Sequence, residues 1–152
     1  MRLEGGCGCG DVHYRLTTSP MFVHCCHCLN CQRQTGTAFV LNMLIEASRV
    51  ELLAGTPAAV AVPREYGLHR IFRCPACQVA VWSEYGGRSE VLFVRAGTLD
   101  DPATVSPDVH IYTRSKLPWI TLPASVPAFE EYYDTAKLWP PESLARRKAL
   151  FG

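Results

Sequence analysis

Six of the eight positions from His24 to Cys31 are cysteine or histidine, in the run HCCHCLNC. Four more cysteines stand in two tight pairs, Cys7 with Cys9 in GGCGCG and Cys74 with Cys77 in RCPAC. Thiols at such spacing either close disulfides or aim two sulfurs at one ion. The opening MRLEGGCGCG has no apolar run of the kind an export signal needs, so a reducing, cytoplasmic setting is expected. There thiolate–metal bonding is favoured over disulfides.

The two outer pairs read as one closed site. Gly6, Gly8 and Gly10 clear side chains from around Cys7 and Cys9, so the backbone can fold close about an ion. In CPAC the proline pre-sets φ for a tight turn. Two pairs make a tetrahedral site of four thiolates, the composition of structural zinc, clamping the start of the chain to its middle. A thioredoxin-like redox role for CPAC needs a helix after Cys77, whereas VAVWSEY alternates as a strand.

The middle group divides by strand period. Along FVHCC, Val23 and Cys25 share one face, while Phe22, His24 and Cys26 share the other. Cys28 follows Cys26 on that face if the chain stays extended, and Cys31 returns through a turn at Leu29-Asn30. Cys25 is then a small buried apolar residue. Cys26, Cys28 and Cys31 make a three-ligand zinc site whose fourth position stays open, the arrangement of catalytic zinc. The alternative is a second structural site, closed by Cys25, His24 or His27. Three thiolates outweigh a dipositive ion, which makes it a poor generator of hydroxide and a good holder of another thiolate; thiol chemistry is expected before hydrolysis. His27, between two ligands, points away from such an ion, free as a proton shuttle or simply buried. His13, His69 and His110 have no partner at ligand spacing and read as structural.

The elements that must carry these residues are short strands. Alternating segments recur at 12–16, 22–26, 39–46, 58–62, 79–85 and 91–97, separated by Gly, Pro, Asp and Ser. No window there keeps a helical period. Beyond AGTLDD, Pro102, Pro107, Pro118, Pro123 and Pro127 interrupt any ladder, so this part is expected to wrap the sheet as loops with one strand at HIYTR. PPESLARRKALF has prolines ahead of Glu142 and basic residues late, favouring a short terminal helix. The expected organisation is a zinc domain over 1–135 and an extension with a short helix over 136–152.

Fifteen Lys and Arg balance fourteen Asp and Glu, so no whole-chain footprint for nucleic acid or an anionic membrane is present. No segment has the apolar length of a membrane span. Small neutral or mildly anionic partners fit better, and homo-oligomerisation is left open.

In this order GGCGCGDVHY, CHCLNCQRQTGTAF, FRCPAC, VRAGTLDDP, HIYTRSKLPW and PAFEEYY resemble the GFA family, named for glutathione-dependent formaldehyde-activating enzyme. The resemblance runs from about Gly5 to Tyr133. It implies a mainly β, Mss4-like (β-tent) zinc-binding fold with two zinc ions per chain. It implies Cys7, Cys9, Cys74 and Cys77 as structural zinc ligands and Cys26, Cys28 and Cys31 as ligands of a catalytic zinc. It also implies carbon–sulfur lyase-type chemistry: joining a small thiol such as glutathione to formaldehyde or a related carbonyl, or the reverse. Where the family usually has glycine after its last cysteine, Gln78 stands here, which threatens a turn with positive φ but removes no ligand.

Arg33, just past the cluster, is the candidate to pair with a glutathione carboxylate through its planar fork. Gln32 and Thr35 beside it offer hydrogen bonds, and Trp119 in the wrapping segment offers a pocket wall. The competing reading is a non-catalytic interaction module with two structural zinc sites. A methionine-sulfoxide-reductase-like mechanism is set aside, because no cysteine follows Cys77.

Overall fold

In the computed structural model, which describes residues 3–63 and 68–152, the alternating stretches are strands. In chain order these are β1 (Leu3–Gly6), β2 (His13–Leu16), β3 (Phe22–Cys26), β4 (Val40–Glu46), β5 (Val50–Ala54), β6 (Ala58–Val62), β7 (His69–Arg73), β8 (Ala80–Tyr85), β9 (Val91–Arg95) and β10 (Val109–Ile111). The helices are α1 (Leu29–Thr35), α2 (Thr135–Leu138) and α3 (Pro141–Phe151), the last where the terminal prolines predict it. The protein is mainly β, as its period-2 patterning dictates.

Three strands carry no clear alternating signal. β1 is LEGG, β5 is VELLA with four exposed residues, and β7 is HRIFR with arginines at two of its five positions. Pairing partners make them strands, and pairing is not visible in a local window.

The chain forms two compact units, Met1–Pro20 with Met43–Val105, and Met21–Asn42 with Ser106–Gly152. In the first unit β1, β2 and β5 form an antiparallel sheet in the order β1-β2-β5. Its register sets Leu3 opposite Leu16 and Tyr14 opposite Leu52. Burial alternates along β1 and β2, and Tyr14 and Leu16 are fully buried. The Tyr14 phenol shares a hydrogen bond with Thr98 Oγ1 (2.7 Å), and its ring meets Trp82 edge-on. The unit's other strands run β4-β9-β8-β7-β6, with β4 joining from Met43 onward. Ile45, Val81 and Val94 are buried along them. β7 ends at Arg73, so Cys74 and the CPAC turn leave directly from a sheet strand.

In the second unit β3 and β10 pair in parallel, with His110 opposite Cys25 and Ile111 opposite Cys26. All five residues of β3 are buried, so its two faces both meet packed side chains. Asp108 leads into β10 and accepts a hydrogen bond from the Val23 amide (2.8 Å). The proline-rich segment then returns along β10: the His110 amide donates to Pro127 O and the Phe129 amide to His110 O. α3 docks within this unit, Ser143 Oγ donating to Met21 O (2.6 Å), and Trp139 stacks on Phe22 with ring centroids 5.2 Å apart. No helix among the described residues is long and apolar enough to cross a membrane.

Candidate metal centres

The first cysteine cluster lies wholly within the first unit. β1 delivers Cys7 and Cys9 through a turn closed by the Cys7 amide donating to Val12 O (3.0 Å). A Cβ at Gly6 would sit 2.3 Å from that same Val12 oxygen, so the close approach requires glycine there. On the other side the Cys74 amide donates to Val79 O and the Gln78 amide to Cys74 O, folding CPAC into a tight loop. Gln78 adopts the positive φ (65°) that the usual glycine supplies, and its side-chain amide donates to Pro75 O (3.0 Å). The turn is therefore kept despite the substitution.

These turns bring four sulfurs together. Cys7, Cys9, Cys74 and Cys77 all place their Sγ atoms within 4.8 Å of one another. Cys7 and Cys9 are 3.6 Å apart, and Cys9 and Cys74 3.8 Å. Ligands at about 2.3 Å from a tetrahedral zinc lie about 3.8 Å from each other, so the donor set fits that ion. The Val12 amide, donating to Cys7 Sγ (3.3 Å), is the main influence that brings Cys7 down to about 6. The Val79 amide acts on Cys77 in the same direction.

The second cluster is Cys26, Cys28 and Cys31, again with all sulfurs within 4.8 Å. Cys26 closes β3, and Cys28 keeps an extended backbone (ψ 150°) as the N-cap of α1. Cys31 returns one helical turn later, where the sequence suggests only a turn at Leu29-Asn30. The Cys31 amide donates to Cys28 Sγ (3.2 Å), the bond that an N-cap side chain ordinarily accepts. The α1 backbone ends at Gly36 with φ 63°. Hydrogen bonds from Cys26 and Cys31 hold Cys28 down at about 2, while those with Cys28 and Cys31 push Cys26 far up. Crowded thiols thus oppose one another's ionisation, and a cation is what would let all three ionise together. No fourth cysteine, histidine or carboxylate joins this cluster among the described residues.

The histidines do not serve it. His27 is fully buried and faces Cys25 and His110, away from the three cysteines. His24 shares a hydrogen bond with the Tyr133 phenol (2.6 Å), which also accepts one from Trp139 Nε1 (2.7 Å). Gln32 spends its side-chain amide on His27 O and Ser115 O, and Thr35 donates back to Cys31 O. Arg33 is exposed in the last turn of α1, and Trp119 is 73% exposed. Cys25, 1% exposed, is buried as its place on the strand predicts.

Two tyrosines near the cluster escape sequence reading. Tyr112 sits at φ 55°, rare for an aromatic residue, just after β10. Burial first, then the charges of Cys26 and Cys28, raises its pKa. Partial desolvation also raises that of Tyr132, which is half-exposed and feels Cys26 as well. The HIYTR and EEYY motifs contain both residues, but nothing local places them beside cysteines some eighty and a hundred positions earlier.

A mainly β chain built around two cysteine clusters is the class that fold and sites define. The family model for glutathione-dependent formaldehyde-activating enzyme matches residues 2–115, and the chain belongs to that family. The PAFEEYY motif lies beyond the matched span. A crystal structure of a Rhodobacter sphaeroides protein is similar in fold, with a TM-score of 0.50 and 16% identity over 83% of this chain and 99% of that one. No curated protein matches the chain.

Proposed function

We propose that the protein is a zinc-dependent carbon–sulfur lyase-type enzyme, joining a small thiol such as glutathione to formaldehyde or a related small carbonyl, or catalysing the reverse. The observation that carries this reading is the cluster of Cys26, Cys28 and Cys31, three sulfurs with no fourth protein ligand among the described residues, in a member of this family. Cys7, Cys9, Cys74 and Cys77 would hold the structural ion. Zinc bound by Cys26, Cys28 and Cys31 would keep a fourth, substrate sulfur ionised and oriented.

The remaining chemistry falls to the chain. The substrate sulfur attacks the carbonyl carbon, the C=O π pair moves to oxygen, and that oxygen takes a proton. Tyr112 and Tyr132, both with raised pKa values, remain protonated O–H donors at neutral pH. They are the groups proposed to deliver that proton and, in the reverse direction, to recover it. Arg33, exposed on α1, is the proposed partner of a thiol substrate's carboxylate. A cytoplasmic thiol pool is the proposed setting.

The test is the exchange rate between glutathione and its hydroxymethyl adduct, read by NMR in the presence of formaldehyde. The zinc-loaded protein is expected to accelerate exchange above the spontaneous rate, and Cys28→Ser to abolish the acceleration while leaving the fold intact. Full activity in Cys28→Ser with that cluster's ion lost would sink the mechanism.

A further inference from the structure

The opposite face of β3 also carries ligand-type side chains. Cys25 on β3 and His27, one residue past its end with its amide donating to Ile111 O (3.0 Å), lie two positions apart and point the same way, as an extended chain requires. Parallel pairing with β10 sets His110 directly opposite Cys25. Cys25 Sγ lies 3.6 Å from His27 Nε2, and His110 Nδ1 lies 3.0 Å from the same nitrogen. All three residues are buried, at 1%, 0% and 6% exposure for Cys25, His27 and His110.

Hydrogen bonding alone uses this arrangement poorly. A ring nitrogen has one hydrogen or one lone pair in the ring plane and serves one partner well, yet His27 Nε2 faces two. The outer nitrogens, His27 Nδ1 and His110 Nε2, find no partner among the described residues, so no outer contact fixes a tautomer against lone pairs on the inner ones. Ligand bonds of about 2.0–2.1 Å to nitrogen and about 2.3 Å to sulfur set tetrahedral ligand atoms roughly 3.3 to 3.6 Å apart, close to the observed separations.

We propose that Cys25, His27 and His110 form a third metal site, taking one thiophilic transition-metal ion through one thiolate and two imidazoles. Binding releases the Cys25 thiol proton to solvent and forms three coordinate bonds. Zinc and copper(I) both suit this donor set. With copper(I) the thiolate leaves a neutral three-coordinate centre, which a fully buried position tolerates best; zinc leaves one positive charge and calls for a fourth ligand. The site is independent of the thiol chemistry proposed above, whose cysteines face the other way.

The full chain, loaded with zinc, and its His110→Phe variant are compared by elemental analysis and by X-ray absorption at the zinc edge. One equivalent of copper(I) is then added without oxygen, and the copper edge is read. The expected result is one equivalent of metal beyond those held by the two cysteine clusters. Imidazole scattering should accompany it at one of the two edges, and His110→Phe should lose both. The edge that shows it names the ion. Sulfur-only coordination with no imidazole at either edge of the wild type overturns the proposal, and so does imidazole scattering that survives in His110→Phe. Because neither cysteine cluster contains a histidine, the wild-type spectra decide the matter even if the variant fails to fold. Cys28→Ser should keep the imidazole-bound ion, so a failure of the thiol chemistry and a failure of this site are read separately.

Discussion

Gln78 holds φ at 65°, where a side chain costs roughly 1–2 kcal/mol relative to glycine. Its amide contact with Pro75 O is exposed and returns only part of this. Gln78→Gly is therefore expected to stabilise the zinc-loaded protein by about 1 kcal/mol, measured by chemical denaturation; an unchanged or lower midpoint would show that the side-chain contact matters more than the backbone strain. Tyr112 presents the same conformation for a different purpose, since its phenol stands in the field of Cys26 and Cys28. Tyr112→Phe combined with Tyr132→Phe keeps the rings and removes the protons. Loss of a general acid typically costs about 10²-fold or more, so kcat is expected to fall by that order with zinc content unchanged.

At the scale of elements, the β1 turn and β7 set the geometry of the first cluster. Gly6→Ala drives a Cβ into Val12 O, the acceptor that closes the Cys7 turn. It should weaken zinc retention at the first cluster in a chelator competition and leave the second cluster's ion in place; equal loss from both would point to general unfolding. β7 also carries His69, 6% exposed and stacked on Tyr85 at 4.2 Å. Burial, then the Arg95 charge, lowers its pKa to about 4 from the ordinary 6.5. Between these values the unfolded chain binds the proton more readily, so this contribution is complete above pH 6.5 and is lost as pH falls toward 4. Its full size is on the order of 3 kcal/mol. His69→Phe, which preserves stacking, should flatten the fall in urea midpoint over that window relative to wild type; parallel curves would show that the ring is not the titrating group.

For the whole molecule, the two cysteine clusters are expected to differ in what they support. Closure of the first cluster joins residues 67 positions apart, Cys7 and Cys74, and structural zinc in small systems contributes on the order of 10 kcal/mol. Chelation is expected to lower the melting temperature sharply. Cys28→Ser, which spares the first cluster, should melt within a few degrees of wild type. A Cys28→Ser protein as unstable as the chelated one would make both clusters structural, and so favour an interaction module over an enzyme.

The sequence by itself determined the metal-binding vocabulary. Cysteine spacing is a local property, and residues two or three apart share a turn or a helical face wherever they fall, so Cys26, Cys28 and Cys31, and each outer pair, were legible without coordinates. Period-2 alternation likewise marked most strands, because a sheet face imposes it directly on the chain. Joining the outer pairs into one cluster was an inference from chemistry that the structure bears out in space. What only the tertiary structure decided is what long-range pairing brings together. His110 reads as an isolated histidine until β10 pairs with β3 and sets it opposite Cys25. Tyr112 reads as a residue of the HIYTR strand and Tyr132 as a loop aromatic until β10 and the returning segment carry them toward Cys26. Strand pairing of this kind depends on contacts across some eighty residues, and no local window of the sequence contains both partners.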